Sequence, residues 1–376
     1  MEIAIDILNY IKEHERESFD LLVELARIPA PSNYEEKRAA FCADWLKKQG
    51  AEGVYVDDAL NVIYPVGCQE KSQKLVVFMA HSDVVFPDTE SLPLTIEDGK
   101  MKCPGIGDDT ANVVALLMTA KYIAEYKLVP REYGVLLVIN SGEEGLGNLK
   151  GCRKIMEDFG RRVVEFVSFD SATNALCNKA VGSSRYLVEI DTEGGHSYGD
   201  FGNRNAIAYL ASMIDTLYTM KVPPKTTYNV GTIGGGTSVN TIAQHAEMLY
   251  EFRSCDKGSL DMMEKHFNAV LDMYRAKGVS VTVTMVGQRP CGSVVDEMRQ
   301  QQLVARANKA IKRVCGVEVV PGYGSTDCNI PLSMGIPSIC AGCRMGGGTH
   351  TREEYVKIDS LVPGMSIAFE LILYHF

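Results

Sequence analysis

The sequence predicts an α/β protein: a mixed, mostly parallel sheet with helices on both faces, plus an inserted α+β domain with an antiparallel sheet. Three observations lead there. Nearly continuous apolar runs, such as Leu75-Val76-Val77-Phe78-Met79-Ala80, have the texture of strands buried on both sides. Helix-period segments alternate with those runs, as in βαβ units. Near Gly182 the texture changes to alternating polar and apolar residues, the mark of an open antiparallel sheet. The 376 residues accordingly divide into 1–183, 184–290 and 291–376, with the outer two segments forming one domain around the insertion.

The elements follow in order. Phe19, Leu22, Val23 and Ala26 lie at helical spacing, and Pro29 and Pro31 stop that helix. Ser32 or Asn33 is placed to cap the next helix, with Glu35 and Glu36 in its first turn; Phe41, Trp45 and Leu46 give it an apolar face, and Gly50 ends it. After the strand at 74–80 come a helix over 111–126 and two further buried strands, 134–140 and 165–169. In the insertion, strands are expected at 184–192, 228–233, 246–253 and 279–286, with helices at about 206–220 and 260–277. The chain then returns to the first domain, with Pro337 and the Gly346-Gly347-Gly348 turn near its end.

The formal charge is 38 Lys+Arg minus 48 Asp+Glu, or −10, which argues against nucleic acid as a partner because a phosphate-binding face needs clustered cations. No apolar run is long enough to cross a membrane. Met1-Glu2-Ile3-Ala4-Ile5-Asp6 lacks the basic and apolar regions of a secretory signal, so the expectation is a cytoplasmic protein whose eleven cysteines are reduced. Cys340-Ala341-Gly342-Cys343 has redox or zinc-ligand spacing without a second pair, and two buried thiols beside a turn is the favoured reading. Gly145-Leu146-Gly147 followed by Gly151 has the wrong spacing for a dinucleotide loop, and Glu143 and Glu144 would repel a pyrophosphate.

Polar residues gather where the buried strands end. His81-Ser82-Asp83 follows the first strand, Ser141-Gly142-Glu143-Glu144-Gly145 the second, and Asp170 the third. Asp108-Asp109 sits in a glycine-flanked turn before a helix, and His350 follows three glycines. Singly, each has an ordinary reading: a satisfied structural histidine, a solvated loop, a helix cap. Jointly they lie beyond the carboxyl ends of strands, where sites of open α/β sheets form. Two histidines and several carboxylates suit a divalent cation, zinc first, then cobalt or manganese. A pair of cations about 3.5–4 Å apart also removes the repulsion among so many carboxylates.

This set resembles the dinuclear-zinc metallopeptidases of peptidase family M20, which include peptidase T, carboxypeptidase G2, acetylornithine deacetylase and succinyl-diaminopimelate desuccinylase. The resemblance runs from Ile28-Pro29-Ala30-Pro31-Ser32 to His350-Thr351-Arg352-Glu353-Glu354. It implies a zinc-peptidase-like catalytic domain in two parts and an inserted lid and dimerization domain. By resemblance, His81 and Asp170 are ligands of one zinc, Glu144 and His350 of the second, and Asp108 bridges them. Asp83 orients the His81 imidazole, Glu143 is the general base, and the Asp108–Asp109 peptide is cis. Gly194-Gly195-His196-Ser197 resembles the segment whose histidine stabilises the oxyanion from a partner subunit. Gly234-Gly235-Gly236-Thr237-Ser238-Val239-Asn240 and Glu251-Phe252-Arg253-Ser254 resemble substrate-binding segments, with Asn240 and Arg253 on the substrate's backbone and carboxylate. Gly324-Ser325-Thr326-Asp327 resembles a pocket loop. One departure stands out: Asp108-Asp109-Thr110-Ala111-Asn112 lacks the lysine and glycine that commonly follow the bridging aspartate.

The activity this implies is hydrolysis of an amide bond in small peptides by a two-metal-activated water, with Glu143 as general base. Asp170, where deacylases and carboxypeptidases tend to have glutamate, tilts the reading toward an aminopeptidase or di- or tripeptidase. The alternatives are a deacylase of N-acyl amino acids and a non-catalytic peptide- or amino-acid-binding module. The implied partners are a small peptide or N-acyl amino acid and a second copy of the chain, joined through the inserted domain, with no nucleic acid and no membrane.

Overall fold

The computed structural model describes residues 4–68, 70 and 72–376; Met1, Glu2 and Ile3 of the amino-terminal hexapeptide lie outside the described residues. Contacts divide the chain into two compact units, Met1–Ala180 with Ser293–Phe376, and Val181–Gly292.

In the first unit the apolar runs form the middle of an eight-stranded sheet. Its order is Tyr55–Val56, Val62–Val66, Gly134–Asn140, Leu75–His81, Val163–Ser168, Ser338–Ala341, Leu176–Ala180, Gly322–Gly324. Leu75–His81 pairs in parallel with Gly134–Asn140 and Val163–Ser168, and Val163–Ser168 pairs in parallel with Ser338–Ala341. Antiparallel strands flank this centre, so the sheet is mixed. Parallel pairing brings the carboxyl ends His81, Asn140, Ser168 and Ala341 to one edge, which explains why the polar segments after each run converge.

The two central runs are buried at every position. Side chains alternate between faces along a strand. Val76, Phe78, Ala80, Val135, Leu137 and Ile139 join the core beneath the helices Glu15–Arg27, Glu36–Lys48, Ala111–Glu125, Glu297–Cys315 and Leu361–Leu373. Leu75, Val77, Met79, Leu136 and Val138 join the other core, with Cys152, Ile155 and Met156 of the helix Lys150–Phe159. Each large apolar side chain so enclosed contributes about 1.5–3 kcal/mol relative to exposure. Cys340 and Cys343 are free thiols in different cores, and burial pushes both well above the usual thiol range. Their spacing therefore serves packing.

One expected cap is corrected. Neither Ser32 nor Asn33 caps the helix Glu36–Lys48, whose N-cap Glu35 makes no side-chain cap bond. The Ser32 hydroxyl donates instead to Asp83 Oδ2 at 2.7 Å. The helix begins at Glu36, three residues beyond Asn33, and the Ser32 hydroxyl is spent as a donor to a carboxylate of the site.

The second unit is a four-stranded antiparallel sheet in the order Thr226–Gly235, His245–Ser254, Gly182–Asp191, Ser280–Arg289. The helices Ala206–Tyr218 and Lys257–Ala276 cover one face, packing Leu210, Met213, Phe267 and Tyr274 against Val188, Ile190, Met248 and Phe252. Asn205 and Asp256 cap these helices by accepting from Ala208 N and Ser259 N. Among the described residues, no helix is long and apolar enough to cross a membrane.

Candidate metal centre

His81 is the last residue of its strand and is 1% exposed. Its Nδ1 lies 3.1 Å from the Asp83 carbonyl oxygen. A carbonyl only accepts, so Nδ1 carries a proton, which leaves Nε2 as the ring atom that would bind a cation. Nε2 lies 3.1 Å from Asp108 Oδ1. The other Asp108 oxygen, Oδ2, lies 3.2 Å from His350 Nε2, which is also 2.9 Å from Glu144 Oε1. One carboxylate therefore faces two histidines, one through each oxygen. The Asp108–Asp109 peptide is cis.

Donor atoms gather in overlapping sets, each with its atoms within 4.8 Å of one another. His81, Asp108, Asp109 and Asp170 make one, Asp108, Glu144 and His350 a second, and His81, Glu143 and Glu144 a third. The structure thus brings together all five residues read as metal ligands, with Glu143 beside them. His81, Asp108 and Glu144 each belong to two of these sets, and Asp108 alone turns one carboxylate oxygen to each histidine.

The electrostatics of the cluster fit that cargo. Burial, with Asp108 next, pushes the Asp170 carboxyl up to about 7. Burial also drives Asp109 well above the carboxylate range, with Asp170 and Asp108 adding to it. Asp108 is displaced the other way: burial would raise it, but hydrogen bonds with His350 and His81 hold it below the usual range. Those with Asp108 and Glu144 lift His350 to about 10. For His81, the surrounding Asp109, Asp108 and Asp83 outweigh burial and raise it well above its ordinary value. So many carboxylates at one strand edge ionise together only with cations among them, and nitrogen plus oxygen donors suit zinc, cobalt or manganese.

Asp83 does more than orient His81. Its carboxylate approaches His81 Nδ1 at 3.5 Å, but its shorter bonds come from Ser32 Oγ, Glu143 N and Glu144 N. It thereby holds the peptide that carries the expected base and a ligand. Four further residues without an assigned role in the sequence reading surround the cluster. Glu35, wholly buried, accepts from Asn33 N at 2.7 Å and Gly142 N at 2.9 Å. Gly142 adopts a φ of 61°, a left-handed conformation that an L side chain resists. Asp109 accepts from His81 N at 3.1 Å and from Asn112 Nδ2 at 2.5 Å. Asn112 also donates to the Ser171 carbonyl at 3.2 Å and accepts from Cys343 N at 2.6 Å. Arg38, with no exposed surface, donates to the carbonyls of Ile28 and Ser82 and to Thr110 Oγ1. The departure at Thr110 and Asn112 is therefore built into the hydrogen bonding of the turn. The bonds from Glu35 to Gly142, Asp109 to His81, Asn112 to Cys343 and Arg38 to Ser82 join residues far apart in sequence, so no local pattern marks them.

Three expected substrate residues sit in the second unit. His196 pairs with Thr241, and Ser197 N donates to the Asn240 carbonyl at 3.0 Å, so His196 and Asn240 are neighbours. His196 Nδ1 accepts from Tyr198 N and Gly199 N, each at 3.2 Å, which puts the proton of the neutral ring on Nε2. Asn240 Oδ1 accepts from Ser238 Oγ at 2.8 Å. Arg253 stands apart on the sheet, its Nε and Nη2 forked onto Glu251 at 2.9 and 3.0 Å.

A model described as peptidase family M20/M25/M40 matches residues 77–374. The chain belongs to that family. It is an M20 metal-dependent hydrolase, and the mixed sheet with its separate antiparallel sheet is the M20 architecture. Carboxypeptidase G2 of Pseudomonas sp. (strain RS-16) is 23% identical over 357 residues, covering 92% of this chain and 84% of that protein. A tripeptidase from Staphylococcus aureus superposes with a TM-score of 0.77 at 22% identity, over 95% of this chain and 97% of that one. A dinuclear metal binding M20 peptidase of Bacillus subtilis superposes with a TM-score of 0.66 at 16% identity, over 97% of this chain and all (100%) of that one.

Proposed function

We propose that this M20 chain is an exopeptidase, an aminopeptidase or di- or tripeptidase, that cleaves small peptides at a free amino terminus. The observation that carries the hydrolase is Asp108, whose two oxygens face His81 and His350 with Glu143 beside the same cluster, and Asp170 in place of the glutamate of deacylases tilts it to the exopeptidase. His81, Asp108 and Asp170 would hold one divalent cation, and Asp108, Glu144 and His350 the other, zinc first and cobalt or manganese next. When bound, such a pair polarises the scissile carbonyl and acidifies water.

The chain's own residues supply the rest. Glu143 takes a proton from the attacking water and returns it to the leaving amine, so one carboxylate serves as base and then acid. Asp83 keeps that carboxylate in place through the Glu143 amide. His196 of the partner subunit, with its proton on Nε2, donates to the oxygen that gains charge as the carbonyl carbon becomes tetrahedral. Asn240 binds the substrate backbone. Arg253 accepts the substrate carboxylate by exchanging Glu251 for it, a planar fork meeting a planar acceptor in either case. A second copy of the chain docks on the inserted unit; the exposed Tyr198, Phe201 and Val239 around His196 and Asn240 support that placement.

The test is kinetic. Protein reconstituted with zinc, cobalt or manganese is assayed on a free-amine tripeptide and on an N-acetyl amino acid. Faster turnover of the tripeptide is expected. Turnover confined to the N-acetyl substrate replaces the exopeptidase with a deacylase, and binding of peptides without hydrolysis of either substrate replaces it with a binding module.

A further inference from the structure

Glu354 lies on the turn that presents His350 and is wholly buried. Its carboxylate accepts three main-chain N–H groups from one distant turn. Gly105 N donates to Oε2 at 3.0 Å, and Gly107 N and Asp108 N donate to Oε1 at 2.9 and 2.7 Å. A second buried side chain holds the same turn. Arg344, 3% exposed, donates from Nε to the Gly107 carbonyl at 3.0 Å. The main chain at Asp108 is thus gripped by a buried anion and a buried cation. Its side chain is left to face His81 and His350.

We infer that Glu354 is the positioning residue of the bridging carboxylate: it fixes the Asp108 main chain from the turn that carries His350, so the ligands of both cations are set together. The inference rests on the two-metal reading proposed above. The chemistry of the clamp is specific. A carboxylate offers two acceptor oxygens to three donors, and charge-assisted bonds of this kind are roughly twice as strong as neutral ones. An amide in its place has one acceptor oxygen and turns its own N–H groups toward the Gly105–Asp108 turn.

Gly107 gives independent access to the clamp, since a Cβ there would lie 2.9 Å from Glu354 Oε1 and 3.0 Å from Arg344 Cζ. Substitution by alanine pushes the turn off its anchor while leaving Glu354 intact.

The experiment uses the full-length protein, stripped by a chelator and titrated calorimetrically with zinc and with cobalt, for wild type, Glu354→Gln and Gly107→Ala. Thermal unfolding, kcat and KM are measured on the same preparations. Wild type is expected to take two equivalents. The variants are expected to take both equivalents roughly ten- to hundredfold more weakly. Their kcat should fall more than KM rises, and excess cation should restore part of kcat. A merely structural lesion lowers Tm and leaves the folded fraction binding two equivalents at wild-type affinity. That result in Gly107→Ala, whether or not Glu354→Gln folds, overturns the assignment. Wild type taking up no cation overturns the two-metal reading and this one with it.

Discussion

Asp83 Oδ1 accepts a hydrogen bond from the main-chain nitrogen of Glu143 at 2.9 Å. Its other oxygen accepts from Glu144 N at the same distance and from Ser32 Oγ at 2.7 Å. A carboxylate read as the partner of a histidine is thus also the anchor of the base. His81 and Ser32 hydrogen bonds counter burial and hold Asp83 below its ordinary range, so it stays ionised and accepts from all of them.

Asp83→Asn should therefore lose activity by displacing Glu143, not only by loosening His81. The amide turns two N–H groups toward main-chain donors, leaving buried groups unmatched at a cost of about 1–3 kcal/mol. Denaturant unfolding measures that loss; kcat should fall, and uptake of the cation assigned to His350 and Glu144 should weaken as well, because Asp83 also anchors Glu144 N. Unchanged kcat in a folded variant removes Asp83 from the positioning of Glu143.

Glu143→Ala should keep its metal and lose turnover. General acid–base catalysis is worth about 10²–10⁴-fold. Metal analysis of the purified variant should match wild type while kcat drops by that order. Turnover at the wild-type rate ends the proposed role.

Cation uptake should release protons and strengthen with pH. In the ion-free site Asp170 is raised from 3.8 to about 7, so it stays protonated where the unfolded chain is already ionised. Folding then binds more protons than unfolding between about pH 4 and 7, and the stability of the stripped protein falls across that window. His350, raised from 6.5 to about 10, adds stability that is complete below 6.5 and lost as pH rises through 10. Both terms disfavour the stripped protein at higher pH, where the ligands favour the cation. Calorimetric titration in buffers of different ionisation enthalpy reads the proton release, and stability of the chelated protein against pH reads the slope. A chelated protein that gains stability from pH 5 to 7 contradicts the prediction.

Asn112→Ala should damage the His81 side of the site from a distance. The amide joins Asp109, the Ser171 carbonyl beside Asp170, and Cys343 N, all in the interior. Removing it strands Asp109, which holds the His81 main chain. The expected cost is about 1–3 kcal/mol in unfolding free energy, with weaker binding of one of the two cations. Equal affinity at both sites would place Asn112 in packing alone.

The central strands and the expected ligands were legible in the sequence because their signals are local. Leu75–His81 and Gly134–Asn140 are apolar on both faces, so the run of side chains alone marks a strand buried in a parallel sheet. The polar segments after them hold His81, Glu143 and Glu144, and parallel pairing requires their convergence. Asp108, Asp170 and His350 stood out from the residues in the same way, and the resemblance supplied the role of each. What stayed hidden is the set of buried carboxylates that hold the ligand loops by their main chains. Glu35 reaches Gly142 across 107 positions, and Glu354 reaches Gly105, Gly107 and Asp108 across 249, 247 and 246. Main-chain N–H groups are the same at every residue, so nothing in the side-chain pattern tells which of them a distant glutamate will accept. The order of side chains along the chain is enough to specify the sheet and the donor types at its edge; which anions became anchors was settled in the folded molecule, because it depends on the burial and proximity that folding creates.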